Sequence, residues 1–155
     1  MLQFPYKDEP LAGPPSPSLP PSSTVRWRPL LPVTVLGPTG LRRQFGRALL
    51  DTGADDTVFP LDTVAQIAVN LRPDTGHRIR WRGQAHPLRF GDVQLELTAD
   101  GSVWRWPAVV AFSPAPIAYP VLGNCGCLQF FDARFRGTDL VVDLDTNPSY
   151  PGTTS

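Results

Sequence analysis

Three carboxylates fall within six residues in the stretch Leu49-Leu50-Asp51-Thr52-Gly53-Ala54-Asp55-Asp56-Thr57-Val58. Strand interiors disfavour Asp and Gly. A carboxylate carried inward behind Leu49 and Leu50 loses hydration worth several kcal/mol unless another group shares its charge. That placement favours a chemical role for Asp51 over a packing role. Adding water to an amide needs one group to take a proton from the water and another to protonate or hydrogen-bond the carbonyl oxygen. Two carboxyls about 3 Å apart that share one proton supply both, because like charges that close cannot both ionise. Thr52 brings a hydroxyl that donates and accepts, and Gly53 lets backbone or ligand approach closely.

The same three letters recur at Asp74-Thr75-Gly76. That copy follows Pro73 and precedes His77 and Arg78, so no apolar strand carries it to a core, and it reads as a turn. Between the copies there is room only for a helix and a loop. The remaining source of a second carboxyl is a second copy of the chain, because a two-fold dimer sets Asp51 against its own symmetry mate.

Other reactive side chains offer less. Cys125 and Cys127 stand one residue apart, poorly placed to bridge each other and too few for a zinc site. They are expected to be small, mostly buried apolar residues, and no metal or cofactor is expected. Positive charge gathers at Arg72, His77, Arg78, Arg80, Arg82, His86 and Arg89. Such a cluster suits a solvated hairpin face, a protease favouring acidic substrates or a nucleic-acid surface; alternation with Ile79 and Trp81 favours the solvated face.

The chain must build elements that hold these residues. Its 155 residues suffice for one domain with a core, and 41% hydrophobic with 18% charged residues fits a globular protein. The 14 basic and 14 acidic side chains cancel, leaving no global field to attract nucleic acid or an anionic membrane. The N-terminal Met-Leu-Gln-Phe-Pro-Tyr-Lys-Asp-Glu-Pro lacks a basic start followed by an apolar run, so a cytoplasmic location is expected.

Residues 1–24 hold seven prolines from Pro5 to Pro21 with serines between them. An extended or disordered arm is expected, either a plain tail or a ligand for a proline-recognising partner. The domain is expected over 25–146, with a flexible tail over 147–155. Within the domain, Val33 to Leu36 and Leu41 to Leu50 flank the turn Gly37-Pro38-Thr39-Gly40 and predict a hairpin that ends on Asp51. A short helix is predicted from Asp62 or Thr63 to near Asn70, and another over Asn124 to Phe131. Alternation predicts strands over 77–97 and 103–112, the latter after an Asp100-Gly101 turn, and a last strand over 140–144. The fold class is all-β, a closed barrel or sandwich of short strands with one or two short helices.

Ala48 to Val58 resembles the active-site strand and loop of the retropepsin-like aspartic proteases. Trp27-Arg28-Pro29-Leu30 is similar to the segment near the retroviral N-terminus, and Val121-Leu122-Gly123 to the apolar-apolar-Gly element before the C-terminal helix. The stretch from Leu122 to Phe135 resembles bacterial members, so the likeness covers about 25–145. It implies an acid-protease-type closed barrel with a hairpin flap. Asp51 would be catalytic, Thr52 part of a hydrogen-bond lattice joining two active-site loops, and Gly53 a contact for substrate backbone. Ala54, Asp55 and Asp56 would bind substrate, with Trp81, Gly83 and Gln84 covering it from the flap over 77–90. Arg28 would pair across the dimer with the partner's residue at the Asp55 position. The chain departs from the family at Asn124, where an arginine is usual, and in a flap whose tip has only Gly83.

Three functions follow: a homodimeric aspartic endopeptidase acting on polypeptides, with neither nucleic acid nor membrane as partner; a non-catalytic retropepsin-fold dimerisation or peptide-binding module; or a basic-hairpin nucleic-acid binder.

Overall fold

The computed structural model describes residues Met1–Ser155. In chain order the elements are β1 (Leu2–Pro5), β2 (Lys7–Pro10), β3 (Val25–Arg28), β4 (Leu30–Leu36), β5 (Arg42–Leu50), β6 (Val58–Pro60), the helix α1 (Thr63–Ile67), β7 (Arg78–Trp81), β8 (Gln84–Pro87), β9 (Arg89–Ala99), β10 (Ser102–Ser113), β11 (Val121–Leu122), β12 (Phe131–Arg136), β13 (Val141–Thr146) and β14 (Thr153–Thr154). Six of the strands close a barrel. They run β10-β6-β11-β5-β4-β9, and β9 pairs back onto β10.

The barrel follows from local chemistry. The β9–β10 hairpin turns at Asp100 and Gly101, with φ of 50° and 77°, the two positive values that a tight hairpin turn requires. Val93, Leu95 and Leu97 of β9 and Trp106, Ala108 and Val110 of β10 point into the core. Trp106 is fully buried and donates its indole N–H to the Gly126 carbonyl at 2.8 Å, meeting the demand of its one polar atom. No helix is long and apolar enough to cross a membrane.

The expected N-terminal arm is corrected for its first ten residues. β1 pairs antiparallel with β13, Leu2 opposite Leu144 and Phe4 opposite Val142, and Leu2 and Phe4 join the main core. β2 pairs with β3, Lys7 opposite Arg28. Proline composition hid these strands, yet Pro5 and Pro10 end edge strands, where the missing N–H costs little. Residues 11–24 hold only turns and bends. The expected flexible tail is corrected as well. Tyr150 packs against Trp106 and Phe131, at ring separations of 6.1 and 5.5 Å, and β14 pairs with Trp104 and Arg105.

The helix predicted to reach Asn70 stops at Ile67, with Ala68 left-handed at φ 54°. The helix expected over 124–131 shrinks to one 3₁₀ turn, Leu128–Phe130, because Phe131 already starts β12.

Asp143 is buried on β13. Its Oδ1 accepts from Gln3 Nε2 at 2.9 Å and its Oδ2 from Arg136 Nε at 2.8 Å. These donors, Gln3 first and Arg136 next, hold its carboxyl below the ordinary carboxylate range. A lowered folded-state pKa adds stability that is present above the unfolded value and lost as pH falls through the folded one. The midpoint of thermal unfolding is therefore expected to fall as pH drops below 3.8, the ordinary value for Asp. Asp143→Asn is expected to lower the midpoint at neutral pH and to flatten that acid limb, which melts across a pH series would check.

Candidate active site

Asp51 leaves the barrel at a fixed point. β5 delivers it behind Ala48 and Leu50, both buried, and β11 lies parallel alongside, with Val121 opposite Leu49 and Leu122 opposite Leu50. The Asp51 N–H makes a further bond to the Leu122 carbonyl at 3.1 Å. The chain then turns: Asp51 Oδ1 accepts the Gly53 N–H at 2.9 Å, and the Asp51 carbonyl accepts the Ala54 N–H at 3.2 Å. One carboxylate oxygen is thus oriented by the backbone. The side chain stays half-exposed, with Thr52 and Gly53 open to solvent beside it.

The loop after Asp51 is tied to the segment after β11. The Asn124 N–H donates to the Ala54 carbonyl at 2.9 Å and the Cys125 N–H to the Asp55 carbonyl at 2.8 Å. Thr57, fully buried, donates its hydroxyl to the Cys125 carbonyl at 2.9 Å and accepts the Gly123 N–H at 3.2 Å. Gly123 fits because it has no side chain; a Cβ there would lie 2.7 Å from the Asp56 carbonyl carbon and 2.8 Å from the Ala54 oxygen. Sequence reasoning missed Thr57. Its signal was a hydroxyl residue set between two carboxylates and the apolar Val58, a poor choice for a core unless it bonds to backbone. Asp55 is exposed and Asp56 half-exposed; both side chains remain available to a ligand.

Arg28 is engaged within its own chain. Its Nη1 donates to Glu9 Oε2 at 3.3 Å and to the Tyr119 hydroxyl at 2.5 Å. Glu9 also accepts from Arg26 Nε at 3.0 Å. Hydrogen bonding from Arg26, then from Arg28, holds the Glu9 carboxyl below its usual range. Within the chain, Arg28 is therefore brought to Glu9 rather than to Asp55.

The hairpin β7–β8 turns at Arg82 and Gly83, with φ of 49° and 75°, so Gly83 does stand at the tip. Trp81 lies opposite Gln84 and Ile79 opposite His86. Directly opposed residues of an antiparallel pair share a face. Ile79 packs against the small cluster of Val58, Leu88 and Ala111, as Val121 also does, and Val58 and Val121 flank the Asp51 loop. The base of the hairpin is thereby anchored beside that loop.

Asp74-Thr75-Gly76 is an exposed surface turn. Asp74 Oδ1 accepts the Gly76 N–H at 2.9 Å and pairs with Arg78 at 3.2 Å. It repeats the local bond seen at Asp51 without a buried strand behind it. The cysteines divide: Cys127 is buried as expected, whereas Cys125, next to the exposed Asn124 in a surface loop, is exposed, a correction. Burial pushes the Cys127 thiol up to about 12. Thiolate is the reactive form. One thiol per chain is expected to label with iodoacetamide under native conditions, at Cys125, and both after denaturation; peptide mapping by mass spectrometry would show it.

A surface cleft of about 510 Å³ is lined by Leu36, Val93, Pro107, Val109 and Phe130 among others and includes none of residues 51–56. No model of a known protein family matches the sequence, and no curated protein matches it.

Proposed function

We propose that the protein is a homodimeric aspartic endopeptidase, with water activated between two copies of Asp51. The observation that carries this is the presentation of Asp51: a half-exposed carboxylate at the end of a buried strand pair, with Oδ1 fixed by the Gly53 N–H. The other Asp-Thr-Gly pairs its carboxylate with Arg78, which supports a second chain as the source of the sharing carboxyl. The ionised Asp51 takes a proton from water as the oxygen attacks the amide carbon, while its protonated mate hydrogen-bonds the carbonyl oxygen. The tetrahedral intermediate then breaks its C–N bond, and a carboxyl proton goes to the leaving nitrogen. The peptide lies extended, as an added strand beneath the β7–β8 hairpin. Needing one carboxyl of each form, the pH–rate profile should be bell-shaped on the acidic side of neutral. Two unpaired thiols suit a reducing compartment such as the cytoplasm.

A second reading, a non-catalytic dimerisation or peptide-binding module, draws support from Arg28, which is already held by Glu9 and Tyr119. Incubating the full chain with a diverse peptide pool from mildly acidic to neutral pH, and sequencing the products, separates the two. Cuts at a defined set of bonds are expected. A folded dimer that cuts nothing at any pH would leave the binding module.

A further inference from the structure

Between His77 and Phe90 the chain has four arginines, two histidines and no acidic residue. Nine of its 13 arginines stand in ion pairs, and three of the four that do not, Arg80, Arg82 and Arg89, fall in this stretch. The two buried side-chain nitrogens that lack any hydrogen-bond partner, His86 Nε2 and Arg89 Nε, also fall here. Buried polar atoms are almost always satisfied, by protein, ordered water or a ligand, so these two nitrogens are open to a further partner. That partner carries acceptors, because the Arg80, Arg82 and Arg89 guanidiniums are donors only and no acidic side chain stands in the stretch.

The faces of the hairpin show where it would lie. Ile79, Trp81, Gln84 and His86 share one side of the hairpin, and on that side Ile79 packs against the cluster of Val58, Leu88 and Ala111. The Arg82 guanidinium folds over the Trp81 ring, 4.4 Å from its centroid. The underside of the hairpin thus combines aromatic surface, a tip guanidinium and an unsatisfied imidazole nitrogen. We infer that this hairpin selects acidic polypeptide segments, with a substrate Asp or Glu side chain bound by Arg82 and His86 Nε2 while Arg80 and Arg89 supply attractive charge. The inference rests on the endopeptidase reading and names its substrate class. Nucleic acid fits less well. The charge that flanks the hairpin is cancelled by Asp74 and Asp92, whereas a phosphate backbone is held by a row of free cations.

The test uses binding, so that it stands apart from catalysis. Full-length Asp51→Asn protein is titrated, by fluorescence anisotropy, against labelled peptides of equal length that are neutral, Glu- and Asp-rich, or Lys-rich, and against a single-stranded oligonucleotide. The acidic peptide is expected to bind about tenfold more tightly than the neutral one, with the preference shrinking as salt rises. In an Arg80→Gln/Arg82→Asn variant, with Asn chosen because it tolerates positive φ, that ratio is expected to fall to near one while the melting curve stays unchanged. Equal affinity for acidic and neutral peptides, survival of the preference in the double variant, or tighter binding of the oligonucleotide would overturn the inference. If the preference stands but the wild-type chain cuts no peptide, the hairpin's specificity is upheld and the endopeptidase reading alone fails.

Discussion

Asp51→Asn is expected to abolish peptide hydrolysis, lowering kcat by about a thousandfold or more, because positioned proton transfer alone contributes on that order. The substitution is nearly isosteric. Its amide oxygen can still accept the Gly53 N–H that Asp51 Oδ1 accepts at 2.9 Å, and the backbone bonds of Asp51 to Leu122 and Ala54 are untouched. The fold and the association state should therefore persist, with a melting midpoint within about 2 °C of the wild type. What is lost is the capacity to take a proton from water. Steady-state assays on the best peptide from the pool, paired with sedimentation, make the comparison. Activity above a tenth of wild type would rule out the carboxylate mechanism.

The second large effect is expected at Gly123→Ala. The added methyl would meet the Asp56 carbonyl carbon at 2.7 Å and the Ala54 oxygen at 2.8 Å, with the Asp56 oxygen closer still. All are backbone atoms, and rotating a side chain relieves none of them. The facing strands are locked by the Asn124–Ala54 and Cys125–Asp55 bonds and by Thr57, so relief requires separating the Asp51 loop from β11. A loss of about 3 kcal/mol is expected, at the upper end for overpacking, read as a fall of roughly 10 °C in melting temperature. Activity should fall further than stability at temperatures where the variant is folded, since a shift of about 1 Å in a catalytic group costs on the order of a hundredfold. Gly137→Ala, where a Cβ meets nothing within 4 Å, is the control and should be near neutral.

Much of this was legible wherever a local rule fixed the answer. The Gly37–Gly40 turn, the Asp100-Gly101 turn and the Gly83 tip each carry a glycine at positive φ, β9 follows from period-two alternation, and β10 from the turn before it. The apolar run into Asp51 marked the site. The reading failed where composition outvoted pattern or where distant residues decide. Leu2 and Phe4 already alternate with Gln3 and Pro5, but the prolines of the first 24 residues masked that period. Glu96 falls between the inward-facing Leu95 and Leu97 of β9, where alternation puts a solvent-facing residue; it is buried between Arg42 and Arg105, at 3.0 and 2.6 Å, and Arg42 lies 54 positions away. Nor did local sequence announce that Glu9 and Tyr119 would take Arg28, since the three come from separate strands and loops.

The pairing of β1 with β13 also bears on how the protein comes into being. Leu2 and Phe4 are synthesised some 140 residues before their partners Leu144 and Val142. Until then the two large apolar side chains of β1 lack their strand partners, and Lys7 and Asp8 of β2 await Arg28 and Trp27 across the proline-rich bend. Such non-local closure is slow, and it leaves apolar surface exposed in the meantime. A nascent chain stalled before residue 141 should therefore keep β1 open to protease and chaperone, and become resistant there only when β13 has been added.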